Sequence, residues 1–187
     1  MKTFTVKELM VPLPEYATVS EDATLFDAVM ALEKAQEAFN DTKYVHRAIL
    51  ILDKNRRVVG KISQLDALRA LEPKYDKILD GPGLNRYGFS QPFMKSLLKD
   101  YHLWNAPLRE ICKRAASIKI KKFMYTPGEG EFIDETANLD EAIHQLVIGS
   151  HQSLLVMKDT EITGILRLTD VFAAVFAVMH ECHLDEI

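Results

Sequence analysis

The sequence predicts an α/β (α+β) protein in which two β-α-β-β-α repeats pack sheet to sheet with pseudo-two-fold symmetry, with a helical insert between them. Three observations predict this class. The phrase "VVGKISQLDAL" at residues 58–68 returns as "ITGILRLTDVF" at residues 162–172. A second pair of stretches, "EDATLFDAV" at residues 21–29 and "ETANLDEAI" at residues 135–143, repeats in a fixed register. The 187 residues are 48% apolar and 27% charged, as in ordinary globular proteins.

The register of the repeat is read from matched residues. "VKELMVPLP" aligns with "IKKFMYTPG", which places Met10 on Met124, an offset of 124 − 10 = 114. The same offset carries "EDATLFDAV" onto "ETANLDEAI". At the glycine phrase Gly60 matches Gly164, an offset of 164 − 60 = 104. The first copy therefore has about ten extra residues, which we expect within residues 34–47.

Periodicity assigns the elements of each copy. In the first, an apolar helical face starts near Leu25, with Ser20 or Asp22 as the expected N-terminal cap, and two β-prone runs precede a helix. The second copy repeats this order. A three-stranded unit of this kind leaves one apolar sheet face uncovered, so we expect the two units to cover each other. The predicted division is repeat 1 at residues 1–71, the insert at 72–117 and repeat 2 at 118–187.

Composition argues against several classes of protein. The net charge of −4 gives no general reason to bind nucleic acid or an anionic membrane. Cys112 and Cys182 lack C-x-x-C spacing, so we expect neither disulfides nor zinc, and we expect a reducing compartment. The N-terminus has no apolar signal core, and the longest apolar run has nine residues, too short to span a bilayer. We expect a cytoplasmic protein without direct membrane insertion.

The phrase "SQLD" permits two interpretations. Ser63 and Asp66 stand three residues apart ahead of an apolar helix, the spacing of a capping box that satisfies free backbone N–H groups. The same helix N-terminus suits a phosphate, and the carboxylate can accept hydrogen bonds from ribose hydroxyls. In the second copy Arg167 replaces the serine while Asp170 remains. Arginine cannot complete a capping box, so the retained aspartate favours a ligand role.

The doubled order of elements and the phrase "GKISQLD" resemble the cystathionine-β-synthase (CBS) domain family over residues 1–71 and 118–180. The resemblance implies a tandem pair, or Bateman module, that binds adenosine nucleotides in two crevices between the repeats and regulates another protein. The chain carries no motif for nucleophilic or metal catalysis, and we expect no enzyme activity, no metal site and no required cofactor.

The resemblance also implies the site residues. One crevice would combine Ser63 and Asp66 with Ile133, Ala137, Gln152 and Ser153. The other would combine Arg167 and Asp170 with Thr18, Val19, Ala23, Arg47 and Ala48. Phe132, where the other copy has Thr18, departs from the family pattern and can either fill its crevice or stack on a base. If Arg167 is open to ligand, its guanidinium favours the more highly phosphorylated nucleotide. If it pairs with Asp170, that crevice is closed.

Residues 72–117 belong to neither repeat. "GPG" at residues 81–83 breaks the chain, and two amphipathic helices follow it. They are either a covered linker or an element that docks a partner. We expect a sensor of AMP, ADP or ATP that signals to an unidentified protein partner, with no nucleic acid bound. The apolar helix "VFAAVFAVM" predicts a homodimer. The alternative is a structural or dimerisation module of the same fold with closed crevices.

Overall fold

The computed structural model describes residues 4–38, 46–79 and 90–184 and confirms the predicted α/β (α+β) class. Two sheets form, one with the strand order β1-β7-β6-β5 and one with β2-β3-β4. The strands are β1 (Val11–Pro12), β2 (Thr18–Ser20), β3 (Ala48–Leu52), β4 (Val58–Ser63), β5 (Phe132–Asp134), β6 (Ser153–Lys158) and β7 (Glu161–Arg167). The helices are α1 (Val6–Leu9), α2 (Leu25–Ala38), α3 (Gln64–Leu71), α4 (Lys74–Leu79), α5 (Gln91–Asp100), α6 (Leu108–Ala116), α7 (Leu139–Gly149) and α8 (Leu168–Leu184).

Both repeats use the same strand register. Thr18 lies opposite Leu50 in the parallel pair of the first sheet, and Phe132 lies opposite Leu155 in the second. The offsets are 132 − 18 = 114 and 155 − 50 = 105. Each repeat also has an antiparallel hairpin with its irregularity at the equivalent position. The tandem duplication is therefore confirmed. The expected insertion at residues 34–47 lies partly outside the described residues.

The sheets pack against each other through equivalent side chains. Leu50 and Leu155 are fully buried in one cluster that also contains Tyr16 and Ile165. The neighbouring residues on β3 and β6 point the opposite way, into separate cores beneath the helices. Burial on both faces explains why these strands are continuous apolar runs. Each such leucine contributes roughly 1.5–3 kcal/mol by leaving water.

The two leading segments, residues 4–12 and 118–125, are exchanged between the repeats. Strand β1 pairs with β7 of the second repeat, with Val11 opposite Ile165. In the equivalent bridge Tyr125 pairs with Lys61 of the first repeat. Each leading segment thus extends the sheet of the other repeat. The boundaries 1–71, 72–117 and 118–187 stay a sequence-based prediction.

Close approach of these segments explains the repeated glycine. A Cβ on Gly164 would lie 2.6 Å from the backbone oxygen of Val11, well inside contact distance. A Cβ on Gly60 would lie 3.1 Å from the oxygen of Tyr125. A side chain at Gly164 would force another group to move, and one at Gly60 would require a smaller shift, because another backbone segment crosses directly above each strand.

The start of α2 corrects one sequence-based expectation. Neither Ser20 nor Asp22 caps this helix. Thr24 and Asp27 do so, because the Asp27 carboxylate accepts from the Thr24 backbone N–H at 2.8 Å and the Thr24 hydroxyl accepts from the Asp27 N–H at 3.2 Å. Thr24 and Asp27 stand three residues apart, which is the capping-box spacing, and Thr24 directly precedes the helix.

The insert packs on the first repeat, where Ala115 of α6 lies in one apolar cluster with Leu25 and Ala70, and it also folds back on itself. The Trp104 backbone N–H donates to the Glu72 carboxylate at 3.0 Å, and its indole N–H donates to the Tyr75 hydroxyl at 3.0 Å. These contacts fix the turn between α5 and α6 against the start of α4. The two predicted amphipathic helices are confirmed as α5 and α6, whereas α4 was not predicted. The "GPG" break lies outside the described residues.

Candidate ligand crevices

Ser63 and Asp66 form a complete capping box at the junction of β4 and α3. The Asp66 Oδ2 atom accepts from the Ser63 backbone N–H at 2.9 Å and from its hydroxyl at 2.6 Å. The Ser63 hydroxyl accepts from the Asp66 N–H at 3.2 Å. The structural interpretation of this motif is therefore correct, whether or not a ligand also binds.

The second carboxylate oxygen of Asp66 accepts no hydrogen bond from the described residues, and Asp66 lines a surface pocket. Its nearest charged neighbour in the described part of the chain is Arg69, whose Nη1 atom is 3.7 Å from Oδ1, too far for a hydrogen bond. Asp66 is half-buried and Arg69 is exposed. Because the Asp66 Oδ1 atom can still accept hydrogen bonds, it can bind a hydroxyl donor such as a ribose 2′- or 3′-OH.

A polar network from both repeats borders this junction. Lys61 lies two residues before Ser63 on β4, and its ammonium group pairs with the buried Glu131 carboxylate of the second repeat. Lys61 also lies 5.4 Å from the centre of the Tyr125 ring. Burial alone would raise the pKa of Glu131, but hydrogen bonds from Lys61 and Tyr125 outweigh it and lower this pKa. The network joins the first repeat's strand to the second repeat's leading segment.

The equivalent junction in the second repeat is closed by its own arginine. Arg167 is 8% exposed and donates to Asp170 through Nε at 2.7 Å and through Nη2 at 2.5 Å. Its backbone N–H also donates to Asp170, at 3.2 Å. Both carboxylate oxygens are engaged. The sequence argument took the retained aspartate to favour a ligand role, because arginine cannot complete a capping box. The structure gives Asp170 a structural role, since it accepts from the Arg167 backbone N–H, as in half of a capping box, and binds the guanidinium.

Two first-repeat side chains pack beside this ion pair. Tyr16 is 6% exposed and His46 is 2% exposed, and their rings meet edge to face with centroids 4.5 Å apart. Burial raises the pKa of Tyr16 to about 12, against a smaller lowering by Arg167. Burial, and then the charge of Arg167, lower the pKa of His46. A buried cluster of Tyr16, His46, Arg167 and Asp170 thus fills the position of one expected crevice.

Internal symmetry identifies the matching positions around Asp66. Adding the offsets gives 16 + 114 = 130 and 46 + 105 = 151, so Gly130 replaces Tyr16 and His151 replaces His46. A Cβ on Gly130 would lie 3.8 Å from the His151 ring and would meet nothing closer. Gly130 is exposed and His151 is half-buried. The tyrosine that fills one crevice is absent from the other.

The structure places the other expected site residues in three environments. Thr18, Ala48 and Phe132 are half-buried, and Phe132 packs at the edge of the cluster between the sheets. Arg47 and Gln152 are exposed, and their carbonyls accept from the first N–H of α3 and α8 in their own repeats. The remaining members pack in the cores or at strand ends: Val19, Ala23, Ile133, Ala137 and Ser153. Their ligand roles stay predictions.

Sequence reasoning did not select Tyr16, Lys61, Tyr125, Gly130 or Glu131. Tyr16 and Gly130 were already aligned by the offset of 114 seen at Met10. A comparison of that aligned pair would have shown one bulky and one absent side chain. The Lys61 network gives no such signal, because its equivalents are ordinary apolar residues and its partners are far apart in sequence.

Two features of the described residues bear on other functions. No group of three His, Cys, Asp or Glu side chains in the described ranges is arranged to hold a metal ion. Among the same residues, no helix has the length and apolar character needed to cross a membrane. Cys112 and Cys182 are both exposed and unpaired by disulfides.

Comparisons with known proteins agree with the fold. Residues 6–73 match the CBS domain family. CBSX2 from Arabidopsis thaliana is 17% identical, covers 96% of this chain and 99% of its own, and superposes with a TM-score of 0.59. A CBS domain-containing protein from Bacillus anthracis is 19% identical, covers 93% and 94%, and has a TM-score of 0.58. CBSX2 has also been solved in complex with AMP, at 20% identity, 94% and 98% coverage and a TM-score of 0.58. No curated protein sequence matches the chain.

Proposed function

Because residues 6–73 match the CBS domain family and the whole chain folds as a tandem CBS module, we propose that this protein is a regulatory module that binds an adenine nucleotide beside Ser63 and Asp66. The ligand is AMP, ADP, ATP or a related adenosyl compound. The bound state is passed to a protein partner. The proposal makes the protein a sensor without catalytic activity, in the cytoplasm.

The observation that carries this proposal is the accessible Asp66 carboxylate at the N-terminus of α3. Its Oδ1 atom has no hydrogen-bond donor in the described residues, while Oδ2 is fixed by Ser63. A fixed carboxylate can accept from the vicinal hydroxyls of ribose, and the N-terminal N–H groups of an eight-residue helix favour a phosphate. The structural neighbour CBSX2 is described with AMP, which makes an adenine nucleotide the first ligand to test.

The proposal assigns one working crevice to each chain. The crevice at Asp66 lacks a counterpart of Tyr16, and the half-buried Asp66 lines a surface pocket with the exposed Arg69 and Lys122. The crevice at Asp170 holds a paired arginine, a tyrosine and a histidine, all nearly excluded from water. A nucleotide entering there would have to break the bidentate ion pair between Arg167 and Asp170 and leave a buried charge without its partner. Breaking buried pairs of this kind costs roughly 3–5 kcal/mol.

Isothermal titration of purified protein with AMP, ADP and ATP tests the proposal. Binding should appear below millimolar concentration, and Asp66→Ala should weaken it about tenfold or more, because charged hydrogen bonds contribute about 1.5–3 kcal/mol. Asp170→Asn is the control, because its amide oxygen can still accept from the buried Arg167, and it should leave affinity nearly unchanged. Absence of binding by all three nucleotides would rule out adenine sensing.

The alternative function is a structural or dimerisation module of the same fold without a ligand. The closed Asp170 crevice favours it, because that half of the module already has the packing of a core. Protein that binds no adenine ligand yet assembles stably would support this alternative.

We also propose a homodimer. Helix α8 exposes Phe172, Phe176 and Met179, and α7 exposes Val147 and Ile148. Large apolar side chains grouped on helices mark association surfaces. Light scattering should give a mass of about twice 21.3 kDa at micromolar concentration. A chain that stays monomeric throughout this range would refute the dimer.

A further inference from the structure

Helix α5 has an apolar face that no described part of the chain covers. None of its residues is buried, and Met94, Leu98 and the following Tyr101 are each more than two-fifths exposed. A helix of ten residues is marginal in water unless tertiary contacts support it. Its apolar face is therefore expected to meet another surface.

Basic side chains run beside this face. At 100° per residue, Met94 and Leu98 lie one turn apart on one stripe of α5, and Lys95 and Lys99 lie one turn apart on the adjacent stripe. Both lysines are exposed. Neither has an ion-pair partner in the parts of the chain that the structure describes. The outward side of α5 thus presents an apolar stripe and a positive stripe in parallel.

Helix α6 adds more positive charge. Its Ile111 and Ala115 are buried, while Arg109 and Lys113 are exposed on the opposite side. Residues 91–116 contain five Lys or Arg and two Asp or Glu, a net charge of +3, although the whole chain carries −4. The insert is therefore a basic region on an acidic protein, and its partner should be negatively charged.

We propose that the outward face of α5 is a docking surface for an anionic lipid membrane. Parallel apolar and basic stripes suit an interfacial helix, whose apolar side chains enter the boundary of the acyl region while lysines reach lipid phosphates. A convex helix needs no groove on a fluid lipid surface, whereas an acidic protein would have to supply a groove for Met94 and Leu98 as well as carboxylates. The helix lies on the membrane and does not cross it.

Vesicle flotation of the full chain tests this proposal. The probe is phosphatidylcholine vesicles with about one-third phosphatidylglycerol, and pure phosphatidylcholine is the neutral control, because each basic residue near an anionic surface contributes about 1 kcal/mol. The protein should float with the anionic vesicles and remain in solution with the neutral ones. Lys95→Gln with Lys99→Gln should reduce binding roughly tenfold or more. This variant keeps the apolar face and the helix propensity.

A second variant separates the apolar contribution from the charge. Met94→Ser with Leu98→Ser should abolish flotation, whereas Phe26→Ser with Met30→Ser, which removes comparably exposed apolar side chains one turn apart on α2, should not. Polyglutamate should not displace the protein from vesicles, because it offers charge without an apolar phase. No flotation with anionic vesicles, equal loss in the α2 variant, or full displacement by polyglutamate would overturn the proposal. Displacement would instead identify an acidic polypeptide as the partner.

Discussion

Arg167 donates two side-chain hydrogen bonds to Asp170, at 2.7 and 2.5 Å, in the position where the first repeat places Ser63 and Asp66. The two repeats share a fold and a register, yet this exchange of arginine for serine gives them different junctions. One aspartate has both oxygens engaged with an arginine. The other keeps one oxygen accessible. The account of function depends on this difference.

Replacement of the arginine tests whether it contacts phosphate. Arg167→Ser should leave the ATP affinity of the protein within about twofold, because the guanidinium binds Asp170 and not a ligand. The new serine has the capping-box spacing to Asp170, which should limit any loss of stability. Titration calorimetry gives both affinity and stoichiometry. A tenfold loss of ATP affinity would show that Arg167 is a phosphate ligand after all.

A tyrosine introduced beside Asp66 should block that crevice, as Tyr16 fills the crevice beside Asp170. Gly130→Tyr places at Asp66 the side chain that Tyr16 supplies at Asp170, and the 3.8 Å separation from His151 leaves room for its Cβ. AMP affinity should fall at least about tenfold, since the ring occupies ligand space. Gly128→Tyr is the control, because a Cβ there meets nothing within 4 Å. Equal affinity in both variants would contradict the proposed position of the ligand.

Gly60 and Gly164, each crossed by another backbone segment, should differ in how much an added methyl group destabilises the protein. Gly164→Ala should destabilise the protein by about 2–3 kcal/mol and Gly60→Ala by about 1 kcal/mol, within the range found for overpacked sites. The reason is that the new Cβ would lie 2.6 Å from a backbone oxygen at Gly164 and 3.1 Å at Gly60. Urea unfolding measures both. If Gly60→Ala costs more, the exchanged leading segments are not as described.

His46 should make stability depend on pH. Its pKa is lowered by burial and by Arg167, so the unfolded chain binds the proton more readily. The stability from neutral His46 is therefore fully present above its ordinary pKa of about 6.5 and is lost as pH falls below that value toward the lowered pKa of the folded state. Urea unfolding of wild type at pH values above and below this point should show the loss. His46→Gln should show a smaller one, and an unchanged slope in that variant would contradict the assignment.

The sequence predicted the repeated fold because its signals are local or periodic. Met10 and Met124 gave the register, and the apolar runs that became β3 and β6 identified two strands, which the structure shows to be buried on both faces. The exchange of leading segments was not predicted. It depends on pairings such as Lys61 with Tyr125, 64 residues apart, which leave no periodic pattern.

The candidate site was predicted less completely than the fold. Ser63, Asp66, Arg167 and Asp170 were found because they stand in repeated phrases. The sequence is compatible with an Arg167 that faces a ligand and with one that pairs with Asp170, and only the side-chain geometry distinguishes the two. The Thr24 cap of α2 was missed for a similar reason, since several nearby residues had suitable chemistry.

The number of AMP molecules bound per chain tests the central claim most directly. Titration calorimetry of the purified protein should give about one AMP per chain, removed by Asp66→Ala and retained in Asp170→Asn, since a single crevice has an accessible carboxylate. Two molecules per chain would show that the Arg167 cluster opens to ligand. A site that survives Asp66→Ala but is lost in Asp170→Asn would place the ligand beside Asp170 and contradict the account.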